Sequence, residues 1–480
     1  MAATTTVAAV DLGSSSGRVV AGRYDGAAVR LDEVHRFAVQ VQEADGALWW
    51  DVEAILAEVR HGLARAARHG PLDAVSVDGW GVDHALLRAD GTLAAPVRAY
   101  RDPRTADVPA QLAGRAPDLL LWRLTGVRPD PINTTHQLVA GLRDDPALRE
   151  EVDAVLMLPD YVAHRLGGER GWSRAICSTS GLCAPGARDW STEVMDLLGL
   201  DPAWFGPLSD ERTAVGTLAD DPRTPLLRAG SHDTACAVHA LPPGDGDRAF
   251  LSSGSWSLVG VERDEALLDP AALEAGFTNE VRTDGGVRLL KNLTGLWILQ
   301  ECQRQWLAQG LRAEPAELVA EARAADSLGV VLDPAHPDLA RPGPMADRVA
   351  EHLRRLGAAP ADRAQLVRAV LESLAAAYAR SVEQLARLTG TRPGHLVVVG
   401  GGARNTLLSE MTAAACRIPV LVGPVEASAA GSVLAQLETL GHLAGRDDGA
   451  RALAASAPPT LIDPGDVDPA LRRLADLAAR

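Results

Sequence analysis

Two stretches about half a chain apart share one design, and this repetition constrains the fold more than any other feature. In the first, an apolar run from Val7 to Val10 enters Asp11-Leu-Gly-Ser-Ser-Ser-Gly-Arg18 and returns as Val19-Val20-Ala21-Gly22. In the second, Arg248-Ala-Phe-Leu-Ser-Ser-Gly-Ser-Trp-Ser-Leu-Val259 repeats the arrangement. Gly and Ser between β-prone runs read as strand, tight turn, strand. Two such hairpins in a chain of 480 residues predict two domains of related design, because one core rarely grows to that length. The segment Leu241-Pro-Pro-Gly-Asp-Gly-Asp247 has linker composition, which places the boundary between 243 and 244, with domains 1–243 and 244–480.

Around the hairpins, strands alternate with helices. Ile55, Val59, Leu63 and Ala66 recur at helical spacing between Val52 and Ala67. Ala74-Val-Ser-Val-Asp78 reads as a buried strand ending in Gly79-Trp80-Gly81, and Val155–Leu158 as a strand running into a short helix at Pro159-Asp-Tyr161. Leu366, Val370, Leu374, Val382, Leu385 and Leu388 mark a stripe on a long helix that Gly390 stops. His395-Leu-Val-Val-Val399 reads as a buried strand opening onto Gly400-Gly-Gly402. The pattern predicts α/β domains with sheets covered on both faces.

Composition removes several function classes. The net charge of −16 repels a phosphate backbone, so no nucleic-acid partner is expected. Lys291 is the only lysine, so the Gly-rich turns cannot be Walker A loops, and nothing near Lys291 prepares a Schiff base. Cys177, Cys183, Cys236, Cys302 and Cys416 lack the spacing of a zinc or redox motif and fit reduced thiols. The first residues lack a basic start, and no run is long enough to span a bilayer. The expectation is a soluble cytoplasmic protein with no membrane partner, monomeric or homodimeric.

Five motifs can carry chemistry. In Asp11–Arg18, small residues let backbone N–H groups converge on a phosphate. Ser14, Ser15 and Ser16 add hydroxyls, and Asp11 could hold Mg²⁺ through water; the plain alternative is an ordinary Ser/Gly hairpin. Leu251–Ser257 offers a matching donor loop from the other domain. Gly400-Gly-Gly402 after a buried strand leaves bare backbone for a flat ligand, though a strand-to-helix turn needs such glycines too. Gly230-Ser-His-Asp-Thr-Ala235 places Asp233 beside His232 and Thr234, where it would serve as a general base or merely as a helix cap. In Val77-Asp-Gly-Trp-Gly-Val-Asp83, Trp80 offers an apolar face to a sugar and Gly81 its backbone, although a lone Trp is more often core. Asn292 is a further polar candidate. Together these suit phosphoryl transfer, which needs positioning, charge neutralisation and one proton acceptor.

In order and wording, these motifs resemble the FGGY carbohydrate kinases. The likeness extends through Tyr100-Arg-Asp-Pro-Arg104, Leu156-Met-Leu-Pro-Asp-Tyr161, Gly295-Leu-Trp-Ile-Leu-Gln300 and Gly423-Pro-Val-Glu-Ala-Ser428, covering the chain from about 7 to about 436. The resemblance implies a two-domain actin/hexokinase-like (ribonuclease H-like) fold with ATP and sugar in the cleft between domains. It also implies phosphorylation of L-rhamnulose at its 1-hydroxyl by Mg²⁺-ATP, in L-rhamnose breakdown. Carried across by motif, Ser14, Ser15, Ser16, Gly17, Arg18, Ser255, Gln300, Gly401 and Gly402 would contact ATP. Gly81, His232, Asp233, Thr234 and Asn292 would contact the sugar, with Asp233 as proton acceptor. Ser14 and Ser255 stand where the family pattern has Thr, with the hydroxyl kept, and cysteine pairs of some relatives have no counterpart here. Rival substrates are L-fuculose, L-xylulose and glycerol; a rival of another class is a non-catalytic, actin-like ATP-binding protein.

Overall fold

The computed structural model describes residues 4–242 and 247–479, so the middle of the Leu241–Asp247 linker and the boundary placed there lie outside the described residues. The chain forms two compact units. One comprises the chain up to Pro243 with Arg263–Leu289 and Ala427–Ala457, and the other comprises Gly244–Glu262, Leu290–Glu426 and Pro458 onward. The first unit thus takes two segments from the later half of the chain.

In the first unit the hairpin forms as read, from strand Thr5–Leu12 antiparallel to Ser16–Tyr24. Strand Ala74–Gly79 lies parallel to Thr5–Leu12, and Pro225–Arg228 lies parallel to Ala74–Gly79. Val29–Ala38 and Thr213–Thr217 close the two edges of this six-stranded sheet. The first strand alternates between two cores. Ala8, Val10 and Leu12 pack with Ile55, Leu56 and Val59 of helix Val52–Ala66, while Val7 and Ala9 pack with Ala429, Val433 and Leu437 of helix Ala427–Thr439. Both faces are therefore covered, which explains the continuous apolar run. The second helix is also tied by polar bonds: Ser432 Oγ lies 2.6 Å from Ser76 Oγ, and Gln436 Nε2 donates to Ala8 O at 3.2 Å.

The second unit repeats the plan. Strand Arg248–Ser253 runs antiparallel to Trp256–Arg263 and parallel to His395–Val399, which in turn pairs with Val420–Val422. Helix Arg363–Thr389 begins at Asp362, whose side chain accepts from Gln365 N at 2.9 Å, and ends at Gly390 with φ 76°. The helix was read as amphipathic, but its first half is buried on nearly every side. Arg368 and Glu372 are included, paired at 2.9 Å, so that ionic pair substitutes for apolar residues inside the core.

No helix among the described residues is long and apolar enough to cross a membrane. All five cysteines are free and buried, and burial pushes their thiols up, away from reactivity.

Candidate active site

The parallel strands of the first sheet deliver their carboxyl ends to one place, where open α/β sheets bind ligands. Asp11 and Asp78 are partners in register on adjacent strands. Beyond them, Trp80 N donates to Leu12 O at 3.2 Å and Gly79 N donates to Ser231 O at 3.2 Å. This draws Asp11, the Gly79-Trp80-Gly81 turn and the Ser231-His232-Asp233 turn together within the first unit. Gly230, with φ 97°, allows the chain to swing from strand to helix, since side-chained residues rarely adopt that backbone. Buried Glu211 then fixes the turn by accepting from Gly230 N at 2.9 Å and Ser231 N at 3.3 Å.

Asp233 is the first residue of helix Asp233–His239, so it is not the cap; His232 holds that position without a side-chain cap bond. Asp233 Oδ1 accepts from Thr234 N and from Thr234 Oγ1 at 3.0 Å, and lies 3.3 Å from His232 Nε2. Burial pushes the Asp233 carboxyl up to about 7, the charge of Asp11 adds to the rise, and the Thr234 bonds oppose it. A base poised near neutrality is what general catalysis at neutral pH requires.

His232 is buried, and Arg288 Nη2 stands 2.9 Å from its Nδ1. A guanidinium can only donate, so Nδ1 accepts and Nε2 carries the hydrogen that faces Asp233. Burial, then Arg288, hold the ring well below the usual imidazole range, so it stays neutral. Arg288 is fully buried and its charge is met by Glu280 Oε2 at 3.0 Å. Sequence reasoning missed Arg288 and Glu280; the available signal was a lone arginine inside the apolar strand Val287–Thr294.

Trp80 is a correction of emphasis. It is 7% exposed and belongs to the core, so it is not an open stacking platform. Its ring packs at 4.9 Å from that of Trp50, and Asp83 Oδ2 accepts from both indoles, at 2.8 Å from Trp80 and 2.6 Å from Trp50. Gln137 Nε2 donates to Asp83 Oδ1 at 3.1 Å. The buried core thereby fixes the position of Gly81, which is partly open. Asp83 stands in the motif, but its anchoring role was not read there.

In the first Ser/Gly turn, Ser15 is exposed and Ser14 and Ser16 half-buried, whereas Arg18 turns back to Asp11, with Nε 3.0 Å from Oδ2. Asp11 and Asp78 are both buried. Burial raises both carboxyls; for Asp78 the neighbouring Asp11 and Asp233 charges add to it, and neither of its oxygens accepts a well-formed hydrogen bond. Buried, mutually repelling carboxylates of this kind suit a hard divalent cation.

The second unit carries the remaining candidates. Ser255 Oγ donates to Gln300 Oε1 at 2.7 Å, bringing those two predicted ATP residues together. Gly400 adopts φ 86° against Ser253 O, Gly402 is buried against Ser253, and Gly401 is exposed with open space where a Cβ would stand. Asn292 is exposed on strand Val287–Thr294 of the same unit.

The sequence matches the N-terminal domain of the FGGY family of carbohydrate kinases over residues 6–226 and its C-terminal domain over residues 249–439. The chain belongs to the FGGY family of carbohydrate kinases. This FGGY kinase is 35% identical over 462 residues to the rhamnulokinase of Klebsiella pneumoniae, spanning 95% of this chain and 94% of that protein. In structure it resembles ligand-bound xylulose kinase from Lactobacillus acidophilus, with TM-score 0.79 and 15% identity, over 99% of this chain and 96% of the other. It also resembles Plasmodium falciparum glycerol kinase with ADP, with TM-score 0.74 and 13% identity, over 93% and 92%. The fold is accordingly the α/β, actin/hexokinase-like one, and the enzyme is an ATP-dependent sugar kinase.

Proposed function

We propose that this kinase phosphorylates L-rhamnulose at its 1-hydroxyl, with Mg²⁺-ATP as donor and Asp233 as the base. The observation that carries the reading is the convergence of three donors on one oxygen of Asp233. Thr234 N, Thr234 Oγ1 and His232 Nε2 all face Oδ1, which leaves Oδ2 to receive the proton of the attacking hydroxyl. A carboxyl raised to about 7 is basic enough to take that proton and is still ionised in a large fraction at neutral pH. His232 and the backbone of Gly81 line the sugar's place, with the Nε2–H of His232 holding Asp233, and the Asp83 anchor under Trp80 fixes where Gly81 stands. In this reading Ser14, Ser15, Ser16, Gly17 and Arg18 of the first unit, and Ser255, Gln300, Gly401 and Gly402 of the second, contact ATP. Thr234 and Asn292 contact the sugar.

Asp11 and Asp78 would hold the metal, Asp11 through water. When bound, Mg²⁺ neutralises charge on the transferring phosphoryl group. The choice of L-rhamnulose is supported by the likeness to the Klebsiella pneumoniae rhamnulokinase along nearly the whole of both chains. The test is ADP release with Mg²⁺-ATP and L-rhamnulose, L-fuculose, L-xylulose, L-ribulose or glycerol, side by side. A preference for L-rhamnulose supports the reading. Stronger turnover of another sugar would retain the kinase and discard the substrate.

A further inference from the structure

Outside the kinase site, the second unit brings two imidazoles and a carboxylate to one surface point. His336 precedes the short 3₁₀ turn Pro337–Leu339, which contains Asp338, and His352 lies on helix Met345–Arg355. We propose that His336, Asp338 and His352 bind one late first-row divalent transition-metal ion, with Zn²⁺ the best fit.

The geometry favours an ion of that class. One ligand atom from each residue lies within 4.8 Å of the others, and among the described residues this is the one such group of three. His352 Nε2 is 3.5 Å and His336 Nδ1 is 3.6 Å from Asp338 Oδ2. A tetrahedral Zn²⁺ with N and O bonds near 2.0–2.1 Å sets its ligands about 3.3 Å apart, so small side-chain adjustments close the site. The two rings meet edge-on with centroids 4.3 Å apart.

The protonation state is suitable as well. His336 Nδ1 accepts a long bond from Asp338 N at 3.2 Å, so it is the nitrogen without a hydrogen, which is the state a metal requires. The metal bond would take the place of that weak cap. Two imidazoles with one carboxylate select Zn²⁺ and its neighbours, whereas Mg²⁺ and Ca²⁺ prefer oxygen alone. The kinase's own cation therefore does not compete.

The scaffold is firm on both sides. Arg348, one helical turn before His352, donates from Nη1 to Asp338 O at 3.2 Å and to Arg341 O at 2.6 Å, and from Nη2 to Pro342 O at 3.0 Å. Those carbonyls occupy the guanidinium and hold the turn against the helix. His352 is largely covered, with its side chain 14% exposed, while Asp338 at 49% and His336 at 43% leave an entry path. A bound ion would cross-link the turn to the helix and retain a coordination position for water.

The test uses the metal-free, full-length protein without an affinity tag, in the absence of ATP and sugar. Zn²⁺ is titrated calorimetrically and Co²⁺ by visible absorption. The expected result is one saturable Zn²⁺ per chain that is lost in His336→Ala, a melting temperature that rises with Zn²⁺, and a Mg²⁺ response that His336→Ala leaves unchanged. His336→Ala and His352→Ala should each weaken binding by at least the roughly 10–100-fold that even outer-shell partners command. Asp338→Asn, at the most exposed ligand, provides a variant whose folding is not in question. Absence of saturable Zn²⁺ binding, or binding unchanged in His336→Ala and Asp338→Asn, overturns the proposal. The buried cysteines offer no alternative thiolates.

Discussion

Nη2 of Arg288 stands 2.9 Å from Nδ1 of His232, with both side chains buried, so the arginine dictates which imidazole nitrogen carries the hydrogen. Arg288→Met would strand the Glu280 carboxylate, and breaking a buried pair costs about 3–5 kcal/mol. The double variant Arg288→Met/Glu280→Leu should recover much of that stability. It should still show a raised KM for the sugar, because the His232 tautomer is no longer held. Urea denaturation and steady-state kinetics on the same preparations separate the two effects; a double variant with unchanged KM would remove His232 orientation from the account.

Asp83 satisfies the indoles of Trp50 and Trp80 and the amide of Gln137 at once. Asp83→Ala should cost about 1–3 kcal/mol for each buried donor left unpaired, read as a lower denaturation midpoint by tryptophan fluorescence. Asp83→Asn, which keeps a carbonyl acceptor, should lose less than Asp83→Ala. Equal stability of Asp83→Ala and wild type would mean that the anchor does not exist.

The raised Asp233 carboxyl makes two pH statements. Catalysis should rise with pH through about 7 and then level, as the base becomes ionised. Stability should move the other way. The folded state holds its proton up to about 7, while the unfolded chain releases it near the ordinary value of 3.8. This group's contribution is thus fully present below the unfolded value and lost as pH rises through about 7. Asp233→Asn should therefore melt above wild type at pH 8, with the gap closing toward pH 4. A gap that widens on acidification would contradict the assigned shift.

Gly401 and Gly402 make a matched pair. A Cβ on Gly402 would meet Ser253 Oγ at 2.0 Å and Cβ at 2.6 Å, whereas nothing lies within 4 Å of one on Gly401. Gly402→Ala should lower the melting temperature, at the 1–3 kcal/mol scale of overpacking. Gly401→Ala should leave stability within about 0.5 kcal/mol and raise the KM for ATP. If Gly401→Ala leaves that KM unchanged, the nucleotide does not rest on this backbone.

Much of this was legible because it is local. Both hairpins, the strand before Gly400 and the helix stopped by Gly390 follow from periodicity and turn chemistry within a few residues. The covering of the first sheet was not legible. Ser432 reaches Ser76 across 356 positions, and Gln436 reaches Ala8 across 428, so helix Ala427–Thr439 carries no local mark of the unit it joins. The charge behind His232 was hidden for the same reason: Arg288 is 56 residues away. Trp80 reads as a sugar platform because its ring offers an apolar face, yet the Trp50 ring that packs on it comes from 30 residues away, and Asp83, inside the same motif, shows its anchoring role only once both indoles point at it. The candidate site residues stand out by motif order; the contacts that support them are tertiary, and no window of sequence displays those.

The most direct test of the account is the turnover of L-rhamnulose by Asp233→Asn, with ATP binding measured on the same protein. The account predicts a fall in kcat of roughly 10²–10⁴-fold, the scale of a lost general base, with ATP affinity nearly intact. Near-normal turnover by Asp233→Asn would contradict it.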